Sequence, residues 1–157
     1  MKTKIVLLAS LILITFNSFS QYNGATPWSD CFGYNASCDY YGCSSIKVNT
    51  SSSSPVVAIV KRYGKVVKHA YISAGSSYTF EVKDGTYQVF FYYGSSWSSR
   101  KKMSSDECSN LYGGWNTNES VTKDDPITIK GQIMTYTLSS MFNGNFSPDK
   151  SSIKEAL

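Results

Sequence analysis

The chain has 157 residues and a formal charge of +4, with 41% hydrophobic and 15% aromatic content, which is one domain's length and enough apolar mass for a single core. Charged residues make up only 17%, while serines number 27 and threonines 11; this argues against a coiled coil, a charged disordered chain or a large multidomain enzyme. One histidine leaves little material for a histidine-rich metal site.

Residues 1–20 have the pattern of a secretory signal. Lys2 and Lys4 form a basic start, Ile5 to Phe16 is an apolar run broken by Ser10 and Thr15, and Ser18-Phe19-Ser20 offers small residues for cleavage before Gln21. The run is about 12 residues, short of the roughly 20 that span a bilayer. The first cysteine is Cys31, so lipid attachment at the end of the signal is not expected, nor is a membrane span once the signal is removed. The expected mature chain, Gln21 to Leu157, carries 13 basic and 11 acidic residues, a balance of +2. Such a charge gives no case for nucleic acid as a partner, and Arg100-Lys101-Lys102 reads as a solvated loop. The expected location is secreted or periplasmic.

Export places Cys31, Cys38, Cys43 and Cys108 where disulfides persist. Spacing leaves three complete pairings open. The one expected here is a local Cys31–Cys38 clip with Cys43–Cys108 as a long tie. No CxxC spacing supports a thiolate metal site, and neither metal nor cofactor is expected.

From Ser44 onward the chain reads as short strands between turns. Ser51 to Ser54 is a surface turn. Pro55 to Arg62 and Val66 to Ser73 flank Tyr63-Gly64-Lys65 as a hairpin of open register, and the two-sided apolar first strand fits a deeply buried position. Ser77 to Lys83 and Thr86 to Tyr93 flank Asp84-Gly85, the dipeptide of a type I′ hairpin. That turn would set Val82 opposite Tyr87, Phe80 opposite Val89 and Tyr78 opposite Phe91. Gly94 to Pro126 reads as a long irregular loop anchored by Cys108, with Gly113-Gly114-Trp115 as an unplaced strand start. Ile127 to Ile129 and Gln132 to Leu138 form a third hairpin around Lys130-Gly131. Ser152-Ile153-Lys154-Glu155 is a capping-box pattern at the end of the chain. The fold expected is an all-β, antiparallel sandwich of immunoglobulin-like or transthyretin-like type. It has about seven strands and a disulfide-tied N-terminal segment. The divisions are residues 1–20 (signal), 21–43 (cysteine-rich segment), 44–146 (sandwich) and 147–157 (tail).

The runs Tyr71-Ile72-Ser73-Ala74-Gly75-Ser76-Ser77-Tyr78-Thr79-Phe80 and Asp84-Gly85-Thr86-Tyr87-Gln88-Val89-Phe90-Phe91-Tyr92-Tyr93-Gly94 resemble an uncharacterised family of small secreted or lipid-anchored bacterial β-sandwich proteins. Lys123-Asp124-Asp125-Pro126 and Met134-Thr135-Tyr136-Thr137-Leu138 resemble it again, so that the likeness covers most of Cys43 to Phe146. The resemblance implies secretion and a sandwich fold, and brings no catalytic residues. Lipoprotein members end their signal in a cysteine, from which this chain departs. The rhythm is also similar to transthyretin-like and carboxypeptidase-regulatory-like domains, which implies an accessory or adhesive role.

Catalytic material is thin. His69 sits in a strand with no Gly-x-Ser-x-Gly elbow elsewhere. Asp106-Glu107 and Asp124-Asp125 are candidate carboxylate pairs, but each lies in a turn-rich segment, and no calcium loop or phosphate loop is present. The surplus is aromatic. Phe90, Tyr92, Trp97, Tyr112 and Trp115 fall opposite the hairpin core or in the long loop, where planar rings can stack on sugars or anchor a protein. Tyr34, Tyr40 and Tyr41 lie beside the cysteines. The leading expectation is a non-enzymatic secreted or envelope binding protein, its partner a protein or an envelope glycan, with Tyr92, Trp97, Tyr112 and Trp115 as contacts. The alternative is a small extracellular hydrolase or hydrolase inhibitor using Asp106 and Glu107; a structural filler is a third.

Overall fold

The computed structural model describes residues 21–39, 41–139 and 148–157; the expected signal segment and Tyr40 lie outside them. Among the described residues there are nine strands: β1 (Cys43–Asn49), β2 (Val56–Arg62), β3 (Lys65–Ile72), β4 (Ser77–Lys83), β5 (Gly85–Lys102), β6 (Tyr112–Lys123), β7 (Ile127–Ile129), β8 (Ile133–Thr137) and β9 (Asp149–Ser151). Short helices α1 (Ser29–Phe32) and α2 (Ile153–Ala156) flank them. The strands form an all-β sandwich of a three-stranded sheet, β4-β1-β8, and a six-stranded one, β3-β2-β5-β6-β9 with β7 on β5. One pairing, β1 with β8, is parallel. Among the described residues no helix is long and apolar enough to cross a membrane.

The β2–β3 hairpin forms as the sequence implies. Tyr63 (φ 52°) and Gly64 (φ 76°) supply the two positive φ values of a type I′ turn, and a bulge after Val60 adjusts the register. The other two hairpins do not form. β4 pairs with β1, Ile46 facing Phe80 and Val48 facing Tyr78, whereas β5 pairs with β2, Ala58 facing Phe91 and Val60 facing Val89. Asp84-Gly85 therefore carries the chain from one sheet to the other instead of folding it back. Phe80 and Val82 do share a core with Tyr87, Val89 and Phe91, but they enter it from opposite sheets. Lys130-Gly131 is a second such crossing: β7 lies on β5 and β8 on β1. One side chain ties the two crossings together. The Asp84 carboxylate accepts from Ser44 Oγ (2.6 Å) at the start of β1 and from Gly131 N–H (2.9 Å). These bonds, the Ser44 hydroxyl first, hold its carboxyl below the usual carboxylate range.

The stretch from Gly94 to Pro126 is also not a loop. β5 continues to Lys102 and β6 begins at Tyr112, with Trp97 opposite Trp115 and Ser98 opposite Gly114. Serines and asparagines occupy exposed positions of this ribbon, so its polarity marks a solvated face.

The larger sheet is buried on both faces. Val56, Ala58 and Val60 face the smaller sheet, while Val57 and Ile59 enter a second core with Phe90, Tyr92, Leu111 and Trp115. That accounts for the unalternating apolar run of β2, since each buried aliphatic side chain contributes roughly 1.5–3 kcal/mol. Both chain ends roof the second core, Trp28 from the N-terminal segment and Ala156 and Leu157 from the last helix. Ser152 forms the N-cap half of the box, its side chain accepting from Glu155 N–H (3.2 Å), while the Glu155 carboxylate accepts from Lys123 and from Ser151 Oγ (2.8 Å). Residues 148–157 are thus docked, with β9 on β6.

The N-terminal segment also covers the β3 edge. Gly24 N–H donates to Tyr71 O and Tyr71 N–H to Ala25 O, both at 2.8 Å. Asn35 bonds both backbone groups of His69 through its side-chain amide, donating to the carbonyl (2.8 Å) and accepting from the N–H (3.2 Å). An edge that would otherwise template foreign strands is covered at His69 and Tyr71.

All four cysteines are oxidised, but in a different pairing from the one expected: Cys31–Cys108 and Cys38–Cys43. The reason is the second core. Packing α1 against the outer face of the larger sheet brings Cys31 beside the β5–β6 connection that carries Cys108, and Cys38 is left to close the short turn into β1.

Candidate functional site

The aromatic residues singled out from sequence come together, but mostly as packing. Tyr92 and Trp115 are fully buried, Trp97 is half-buried, and only Tyr112 is exposed, at 48%. Trp97 and Trp115 meet edge-on at 5.1 Å between centroids, Tyr71 lies 5.9 Å from Trp115, and Trp28 lies 6.3 Å from Tyr92. The indole of Trp115 packs directly over Gly94, where a Cβ would fall 2.3 Å from the Trp115 Cβ. Beside it runs a polar chain. Tyr92 hydroxyl accepts from Trp115 N–H (2.9 Å) and donates to Glu119, and Glu119 pairs with Lys101 at 2.6 Å. Burial, then the Glu119 hydrogen bond, hold the Tyr92 phenol far above its ordinary value. Burial works against the Glu119 carboxylate, yet its bonds to Lys101 and Tyr92 leave it below the usual range. Rings held this way offer no open face to a ligand at Tyr92 or Trp115.

His69 is wholly buried on β3. Its Nε2 accepts from Trp28 N–H (3.1 Å), its ring stacks on the Trp28 indole at 5.6 Å, and Phe32 meets it edge-on. Burial lowers its pKa to about 4, the Thr26 backbone working weakly the other way. The imidazole is neutral and holds the N-terminal roof in place. Of the candidate acids, Asp106 lies 3.8 Å from Lys154 with both exposed, Glu107 accepts from Val66 N–H (3.4 Å), and Asp124 accepts from Asp125 N–H (2.9 Å). These acids cap local backbone or sit in solvent, and among the described residues no group of three His, Cys, Asp or Glu is arranged to hold a metal. Lys101, from the basic run, belongs to the Glu119 pair. Tyr34 and Tyr41 are exposed.

A different place has the form of a binding site. Where the edges of the two sheets part, between β3 and β4, a cleft of about 250 Å³ opens. Val67, Val82 and Tyr87 give it an apolar lining, and Arg62, Lys68, Lys83, Glu81 and Asp39 give it charge. Two of these residues hold its third wall, the Ser37–Asp39 turn: Lys68 donates to Ala36 O and Glu81 accepts from Cys38 N–H (3.1 Å). Burial lowers the Lys68 pKa, with Glu81 opposing. Arg62, at the end of β2, lies between the rings of Tyr63 (5.2 Å) and Tyr87 (5.4 Å). Its Nη2 donates to Asp84 O at 3.3 Å, and its Nε is buried without a partner. A Cβ on Gly85 would fall 2.6 Å from that Nη2, so the glycine of the first sheet crossing makes room for the guanidinium. Nothing in the spacing of these residues announced the cleft; each reads as an outward strand or turn residue until the two edges are set side by side. Comparison with protein-family models, curated proteins and solved structures finds no match.

Proposed function

We propose that this chain is an exported, non-enzymatic binding or accessory protein of the bacterial cell envelope, delivered by the signal at residues 1–20, and that it recognises its partner at the β3/β4 cleft. Membership of the secreted bacterial family that its strand motifs resemble is part of the proposal. The observation that carries it is the cleft: a concave, partly apolar site with several convergent charged groups. Two disulfides support export, since they persist in oxidising compartments. The recognition surface moves away from Tyr92 and Trp115, whose rings are enclosed.

The test is co-sedimentation of the oxidised protein with isolated bacterial envelopes. Retention is expected to fall at least tenfold in Arg62→Gln/Lys83→Gln and to stay unchanged in Lys150→Gln, which removes a distant exposed charge. Retention equal to wild type in the double variant would refute the cleft as the site. N-terminal sequencing of the exported protein is expected to start at Gln21.

A further inference from the structure

The start of the exported chain carries a chemistry of its own, which rests on the proposed cleavage after Ser20 and not on the cleft. That cut makes Gln21 the first residue and turns its backbone nitrogen into an α-amine. Such an amine has an ordinary pKa of about 7.7–8.0, so near neutral pH part of it is uncharged and nucleophilic. The same residue holds a side-chain carboxamide carbon at the spacing that closes an unstrained five-membered ring. Two groups already joined in one residue react without the entropic cost of being brought together.

The local structure leaves that closure unopposed. Tyr22 O accepts from Ala25 N–H (2.9 Å), and Gly24 N–H donates to Tyr71 O (2.8 Å). The Asn23 side chain accepts from Ser73 N–H (3.1 Å) and donates to Ser77 O (3.0 Å). The N-terminal segment is therefore fixed from Tyr22 onward. Gln21 stands one place ahead of it and, among the described residues, makes no hydrogen bond that would hold its side-chain amide or its nitrogen. We propose that Gln21 is a modification site that closes to a pyroglutamate. The α-nitrogen attacks the side-chain amide carbon, and the new C–N bond replaces the bond to the amide nitrogen. One amine proton passes to that nitrogen, which leaves as ammonia. No co-reactant is consumed and no oxidation state changes. The lactam has no free amine, so exopeptidases that grip an α-ammonium have no hold on it. It shields a segment whose bonds to the β3 edge begin as close to the end as Asn23 and Gly24.

The test is mass spectrometry of the exported protein, intact and as its N-terminal peptide, after treatment with an amine-reactive label; a lactam blocks stepwise chemical sequencing, so the peptide is sequenced in the spectrometer. The expected product begins at residue 21 and is lighter by one ammonia than the disulfide-bonded sequence. Its first residue takes no label at the α-nitrogen and is removed by pyroglutamyl peptidase. Gln21→Asn should keep its full mass and take the label there, because its shorter side chain would have to close a strained four-membered ring. Challenged with an aminopeptidase, wild type should keep its end while Gln21→Asn is trimmed. Full mass and a labelled α-amine on Gln21 in wild type would overturn the inference and leave the cleavage standing. A first residue other than Gln21 would refute the cleavage, and the inference with it. Equal resistance of the two chains to the aminopeptidase would refute the shielding role.

Discussion

The two disulfides close very different lengths of chain, and that difference predicts how much each one stabilises. Cys31–Cys108 spans 77 positions and Cys38–Cys43 spans five. Restricting the unfolded chain by loops of these lengths is worth about 4.5 and about 2 kcal/mol at 25 °C on the chain-entropy relation. The long bridge also fastens α1, and with it Trp28, over the second core. Cys31→Ser/Cys108→Ser is therefore expected to lose about 3–5 kcal/mol, a fifth or more of a stability of roughly 5–15 kcal/mol. Cys38→Ser/Cys43→Ser should lose about 1–2 kcal/mol. Urea unfolding should be followed by two probes. Trp28, Trp97 and Trp115 all belong to or pack against the second core, so tryptophan fluorescence reports the roof, while far-ultraviolet circular dichroism reports the sheets. In the long-bridge variant the fluorescence transition should come first. A greater loss in the short-bridge variant would refute the reasoning, as would a non-reducing digest linking Cys31 to Cys38.

Three further outcomes are expected. Below pH 6.5 an unfolded chain protonates His69, whereas the buried ring resists until about pH 4; stability contributed by the neutral ring is thus full above pH 6.5 and lost on acidification toward pH 4, by up to about 3 kcal/mol. Urea midpoints of wild type and His69→Gln, compared at neutral and acid pH, should converge as the pH falls; parallel curves would contradict the assignment. Gly94→Ala forces a Cβ onto Trp115 and should cost about 1–3 kcal/mol in the same assay, so wild-type stability would mean the indole is not seated there. Asn35→Ala removes both bonds to the His69 backbone and should cost about 1–3 kcal/mol. By uncovering part of the β3 edge it should also promote self-association in size-exclusion chromatography. A monomer of undiminished stability would show that Asn35 does not guard that edge.

The inward faces of the strands were legible because side-chain alternation depends only on the local backbone. Phe80, Val82, Tyr87, Val89 and Phe91 do share one core. Pairing was not legible from the same signal, since two strands facing each other across a sandwich show the same alternation as two strands side by side. Asp84-Gly85 and Lys130-Gly131 satisfy turn chemistry in either arrangement. The deciding contact is long-range: the Asp84 carboxylate binds Ser44 and Gly131, 40 and 47 positions away. The run Val56 to Val60 carried a truer message, for a strand with no polar face needs cover on both sides, and β2 has it.

The same second layer accounts for most of the aromatic surplus. Phe90 and Tyr92 fall on the face opposite the first core, and a roof built from the N-terminal segment and the last helix buries them. The charged residues that line the cleft were not legible by spacing. Lys68 and Lys83 lie on strands with exposed polar positions, a pattern every exposed strand shares, and Arg62 ends a strand that is otherwise buried on both faces. Their convergence arises because β3 and β4 are edge strands of different sheets and their edges do not pair. The cleft at this unpaired seam is encoded in topology, and it lies at Val67, beside the stretch of β3 that the N-terminal segment covers at Tyr71 and His69 through backbone and amide bonds. The third wall of the cleft, Ser37–Asp39, leads into the Cys38–Cys43 bridge, so its position depends on a covalent tie to the start of β1 as well as on the Lys68 and Glu81 side chains.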